Sequence, residues 1–169
     1  MQRNLALSAF IRTFAAMRNL LRLLWLALTA PRPAKIGQMR AVLGGMLLPR
    51  SYAAMTFFGS ILAHTQEEVD SINARPSILL NHEMIHLRQA QSVHNSWFCF
   101  YILYIWYYLR ALPQNRHMRN AAYYLNPFEM EAYEHEYDRN YLEGCTKGAN
   151  GWRSYAKMTP KERRILSKS

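Results

Sequence analysis

The chain alternates between stretches with a helical apolar period, one β-like run and short polar breaks. It opens with "MQRNLALSAFIRTFAAMRNLLRLLWLALTAPRPAK", where apolar residues recur at helical spacing with arginines between them. The longest uncharged run there, Leu23 to Ala30, falls short of the roughly 20 residues a bilayer crossing needs. Three readings compete: a basic amphipathic helix on a membrane surface, a signal peptide ending near "LALTA", or an extra helix upstream of the domain. "PRPAK" then breaks the pattern as a linker. Ser51 to Ala63, "SYAAMTFFGSILA", is β-branched and aromatic enough for a strand, with Gly59 as a bulge or close approach. The polar "HTQEEVDSINARP" reads as a loop. A helix is expected from near Pro76 through "SILLNHEMIHLRQAQSV".

Asn95 and Ser96 offer a break and a cap for "WFCFYILYIWYYLRAL", which is apolar on every face and stops before Pro113. Sixteen residues make about 24 Å of helix, too short to span a bilayer. A buried core helix is the favoured reading, and a helix half-sunk in a membrane interface the alternative. After "PQNRHMRN", Asn126 as N-cap, Pro127 at N1 and Glu129 at N3 start a helix expected to run to Gly144. "TPKERRIL" repeats a Thr-Pro-x-Glu start for a short final helix. The fold class that follows is mainly α with a small β element (α+β).

Length and charge refine this outline. The 169 residues, half of them hydrophobic, suit one domain with appendages. The net charge of +10 divides unevenly: +8 over residues 1–66, −4 over 67–144 and +6 over 145–169. The expected organisation is a basic N-terminal extension over 1–50, a central domain over 51–145, and a basic C-terminal tail with a short helix over 146–169. An acidic middle argues against nucleic-acid binding, which wants basic residues across the structured core. Basic flanks suit an anionic membrane surface or simple solubility equally. Cys99 and Cys145 form neither a CxxC pair nor a disulfide framework, so they leave the compartment open between the cytoplasm and the periphery of an inner membrane.

The chemistry concentrates in "NHEMIHLRQ", Asn81 to Gln89. Histidines four apart lie on one helix face, so His82 and His86 can aim at a shared position. Zinc accepts neutral imidazole nitrogens at about 2.0–2.1 Å, and a catalytic site takes three protein ligands plus water. Glu83 is turned by about a third of a turn from His82. It can therefore act as general base on the activated water without ligating the metal, which is the physical content of HExxH. Two histidines and a carboxylate buried on one helix are costly unless something pairs them. The third ligand is expected from the downstream acidic helix. There Glu129, Tyr133 and Glu136 share one side, and Glu131, Glu134, His135 and Asp138 another. Gln89, one turn on from His86, is a candidate to hold a loop or a ligand. His117, Tyr123, Tyr124 and Tyr133 are the candidates to donate a hydrogen bond to a transition state.

"HEMIH", followed some forty residues later by a helical "FEMEAY", resembles the plan of the gluzincin metallopeptidases: HExxH plus a glutamate from a following helix. The form E-x-E-A-Y is similar to the E-x-x-A-D of several membrane-linked gluzincins. Together, "NHEMIHLRQ", "YILYIWYYLRAL" and "NPFEMEAYEHE" resemble a group of small bacterial HExxH proteins over about Met55 to Leu142. The resemblance implies a zincin-like HExxH helix packed against the aromatic helix and the acidic helix. It implies His82, His86 and Glu129 as ligands of Zn2+, Glu83 as the catalytic base, and a peptide or protein substrate. Glu131 is the fallback ligand. Tyr133 stands where the family commonly has an aspartate that supports a histidine ligand, so the support of the histidines is open. In that family "MTFFGSILA" corresponds to an edge strand that pairs with extended substrate; a plain core strand is the alternative. The oligomeric state is left open.

Overall fold

The computed structural model describes residues 21, 24, 25, 29, 31–36, 38–48, 50, 52–74, 77–113 and 120–167. The reading of residues 1–30 as a surface helix, signal peptide or extra helix falls almost wholly outside these, as does His117. The chain divides into two compact units: one built on the sheet and the first helix, the other on residues 32–37 and everything from Ser77 onward. No helix among the described residues is long and apolar enough to cross a membrane.

The first unit holds three strands in the order β1-β3-β2: β1 Arg40–Leu43, β2 Met55–Phe57 and β3 Ser60–Ala63. β1 runs parallel to β3 with Ala41 opposite Ile61, and β2 runs antiparallel to it with Thr56 opposite Ile61. "MTFFGSILA" is therefore a hairpin and not one strand. Its two-residue turn puts Phe58 at φ 43° and Gly59 at φ 90°, as a primed turn between twisted strands requires. The central strand is the apolar one: Ile61, Leu62 and Ala63 are fully buried. β1, on one edge of the sheet, is drawn from upstream of residue 51.

The stretch expected as a loop after Ala63 contains helix α1, Gln66–Ala74. Glu68 N–H donates to Thr65 Oγ1 at 3.1 Å, and Glu68 Oε2 accepts from Thr65 N–H at 3.0 Å. This reciprocal capping box starts the helix. Val69 and Ile72 face inward. Asn73 brackets the Ala41 backbone, accepting from its N–H at 2.9 Å and donating to its C=O at 3.1 Å. Those bonds satisfy backbone groups on an edge strand that would otherwise be free to pair.

The second unit is helical. α2, Ile78–Ser92, is capped by Ser77 Oγ, which accepts from Leu80 N–H. α3, Trp97–Ala111, is capped by Ser96, and α4 is a single turn, Ala121–Tyr124. α5, Pro127–His135, starts as expected: Pro127 takes N1, and the Asn126 carboxamide accepts from Phe128 N–H and donates to Tyr104 C=O. It ends at His135, nine residues before the expected stop, and α6, Tyr141–Gly144, follows after a turn. The cause lies in α2. The Asn81 carboxamide donates to the carbonyls of His135, Glu136 and Asp138 at 3.2, 2.8 and 3.2 Å, pairing the Glu136 carbonyl that the helix end leaves open and adding to the backbone bonds of the other two.

α7, Trp152–Lys157, and α8, Pro160–Leu166, complete the unit, and α8 has the expected Thr159–Glu162 capping box. Trp152 packs on Phe128 with ring centroids 4.6 Å apart. Ile85, Ala132, Cys145 and Ala149 make one core cluster under Tyr141 and Leu142. The HExxH helix, the aromatic helix and the acidic helix thus share one core, in a mainly helical fold with a small sheet.

Candidate metal centre

The metal-ligating groups come from two helices that the core holds together. α2 buries His82, Glu83, His86 and Gln89 along with Ile85 and Leu87, because its apolar and polar motif residues share one face. α5 buries Glu129 and Glu131. The Nε2 of His82 lies 3.3 Å from Glu129 Oε2, and the Nε2 of His86 lies 3.4 Å from Glu129 Oε1. The two imidazoles thus face the two oxygens of one carboxylate, each at close range. All three ligand atoms lie within 4.8 Å of each other. His82, His86 and Glu129 therefore form a buried group that can hold a metal ion.

The hydrogen bonding points the same way. Glu129 Oε1 accepts from the Tyr104 hydroxyl at 2.6 Å, whereas the buried Oε2 has only its ion pair with His82 and no hydrogen bond. A buried carboxylate oxygen left so is costly, and a cation at this point removes the cost. Burial pulls the His86 pKa down, but the facing Glu129 carboxylate, with Glu83 and Gln89 adding to it, carries it up to about 9. Burial likewise favours a neutral Glu129, yet His86 and then His82 hold its carboxyl well below the usual range. The two shifts together favour an imidazolium beside a carboxylate, and a divalent cation held here would take the place of that proton.

Each imidazole is fixed from behind at Nδ1. His82 Nδ1 lies 3.0 Å from Glu136 Oε2, and His86 Nδ1 lies 2.8 Å from Gln89 Oε1. An acceptor at Nδ1 places the proton there and leaves Nε2 as the metal-facing lone pair, the usual support of histidine ligands. Gln89 is held in turn: its amide donates to Phe128 C=O at 2.9 Å and to Glu131 Oε2 at 2.7 Å. Glu131 Oε1 accepts from the Tyr141 hydroxyl and from Gly151 N–H. Both oxygens of Glu131 are thus engaged away from the imidazoles, which removes it as the fallback ligand.

Tyr133 lays its ring edge-on to His82 with centroids 4.7 Å apart. The carboxylate that supports His82 comes from Glu136, which shares a helix face with Glu129 at a spacing of seven. Glu83 is buried, and its charge acts on His86. Tyr123 on α4 keeps its proton far above the usual range, first through burial and then through the charge of Glu129 and the neighbouring Tyr133. Glu134 lies outside the centre, accepting from the Tyr155 hydroxyl, and His135 stacks on Tyr141. His64 bonds the Tyr52 carbonyl in the first unit, and His94 is exposed. Comparison with protein-family models, with curated proteins and with solved structures found no match for this chain.

Proposed function

We propose that this chain is a zinc-dependent hydrolase, a small metallopeptidase on the gluzincin plan, with His82, His86 and Glu129 as ligands. The observation that carries the reading is the convergence of two Nε2 atoms and one carboxylate at 3.3 and 3.4 Å, each imidazole held by an acceptor at its far nitrogen. Two imidazoles and a carboxylate suit zinc, which takes N and O ligands in tetrahedral sites. When bound, zinc lowers the pKa of a water and polarises a carbonyl.

The remaining steps belong to the chain's own residues. Glu83 takes a proton from the attacking water at its carboxylate and returns it to the leaving amine. The Tyr123 hydroxyl, held protonated beside Glu129, donates a hydrogen bond to the carbonyl oxygen as negative charge develops there. The substrate is a peptide or protein.

The deep burial of all three ligands favours a second reading, in which the metal holds the two helices together without turnover. One comparison separates them: zinc content and peptide-library cleavage of wild type beside Glu83→Gln and His82→Ala. The hydrolase reading expects about one zinc per chain in wild type and Glu83→Gln, with cleavage lost in the latter and zinc lost in His82→Ala. Equal cleavage by wild type and Glu83→Gln refutes it.

A further inference from the structure

α3 is apolar on two faces, and one of them is buried in the core of the described residues. Trp97, Phe100, Tyr104, Tyr107 and Ala111 recur at spacings of three and four and face the core. Phe100 meets Phe128 at 4.9 Å, Tyr107 meets Trp152 at 6.4 Å, and Tyr104 bonds Glu129. Phe98, Ile102, Ile105 and Leu109 recur at the same spacings on the other side, with Trp106 beside them. All five side chains are more than half exposed. Large apolar side chains gathered on one exposed helix face mark a surface that meets something other than water.

Charge identifies what meets it. From Met84 to Phe128 the sequence contains Arg88, Arg110, Arg116 and Arg119 and no Asp or Glu. The Arg110 guanidinium lies over the Trp106 ring at 5.9 Å from its centroid. A tryptophan-bearing apolar stripe on a helix whose own charged residue is Arg110, in a stretch of sequence without a carboxylate, complements the anionic surface of a bilayer. At fifteen residues, about 22 Å long, α3 is too short to cross and suits lying in the interface plane. We infer that α3 docks this unit on an anionic lipid bilayer through Phe98, Ile102, Ile105, Trp106 and Leu109. The helix then sits about 5–10 Å into the headgroup boundary, and Tyr104 on its opposite face reaches Glu129. This inference does not depend on the metal: its failure would leave the zinc and Glu83→Gln comparison unaffected.

The test floats the full chain with vesicles of phosphatidylcholine, with and without phosphatidylglycerol. Wild type is expected to rise with the anionic vesicles, and an Ile102→Glu, Leu109→Glu double variant to partition about tenfold less. The basic N-terminal segment is common to both proteins, so the difference reports α3. Circular dichroism checks the fold of the variant. Should it fail to fold, lipids carrying a nitroxide replace it as the readout: they are expected to quench wild-type tryptophan fluorescence, with part of the quenching lost in Trp106→Phe. Equal flotation of wild type and a folded double variant overturns the inference, as does quenching unchanged in Trp106→Phe. Equal binding to purely zwitterionic vesicles overturns its electrostatic half. A wild type that stays in solution overturns it outright, and sedimentation as a dimer in that case assigns the face to a second copy.

Discussion

At the scale of single residues, the two candidate histidine ligands differ in what stands behind them. His86 is backed by a neutral amide and His82 by the carboxylate of Glu136. A carboxylate at Nδ1 raises the basicity of the ligating nitrogen as well as fixing the ring. Glu136→Ala is therefore expected to weaken zinc binding about 10–100-fold, measured by competition with a chromogenic chelator. Glu136→Gln, which still offers an acceptor oxygen, should recover part of that loss. Equal affinity in all three proteins would show that Glu136 does not position His82. Both supporting residues were visible as spacings: Gln89 stands three after His86, and Glu136 seven after Glu129. The sequence could not rank Glu136 above Tyr133, because both fall on that side of α5 and only the end of the helix decides which reaches back.

That decision is made at the scale of the element. α5 stops at His135 because Asn81, the residue just before the HExxH pair, spends its amide on three carbonyls at the helix end. Glu136 closes the last helical turn as its C-cap, with its carboxylate beside His82, and the chain leaves the helix after it. Asn81→Ala takes the side-chain donor from the Glu136 carbonyl and leaves those of His135 and Asp138 with only their backbone donors, Asp138 N–H and Tyr141 N–H; it is expected to cost about 1–3 kcal/mol, read as a lower midpoint in urea unfolding. Because Glu136 is placed by the same turn, zinc affinity should fall with it; a fall in stability with affinity intact would uncouple the two.

The pattern of residues 126–144 gave no warning of this break, since a long-range side chain imposes it. The capped start at Asn126 was legible because a cap is local. α1 was legible too and was passed over: Thr65-Gln-Glu-Glu68 is a capping-box sequence, masked by its polar composition. The hairpin hid for a related reason. Phe58 is a bulky residue at positive φ, where sequence-based reading looks for Asn or Gly.

At the scale of the molecule, periodicity and charge suggested a basic tail from residue 146, yet Ala149 and Trp152 lie in the core and Gly151 touches the support of the metal centre. A Cβ at Gly151 would stand 2.6 Å from Glu131 Oε1. That carboxylate is also held by Tyr141 and Gln89, so it cannot swing clear without releasing the amide behind His86. Gly151→Ala should then cost about 1–3 kcal/mol and weaken zinc binding, although residue 151 lies far along the chain from every ligand.

The same linkage would make a metal bound at His82, His86 and Glu129 a stabiliser of the whole helical unit. It would bridge α2 to α5, and the unfolded chain has no preformed site to compete for it. Zinc at a hundred times its Kd should add about 2.7 kcal/mol and raise Tm by about 5–10 °C. Glu83→Gln should show the same rise, since Glu83 is not a ligand, and Gly151→Ala should need more zinc to reach it. Differential scanning calorimetry across a zinc titration measures all three, and a Tm indifferent to zinc in the wild-type protein would remove the ion from this centre altogether.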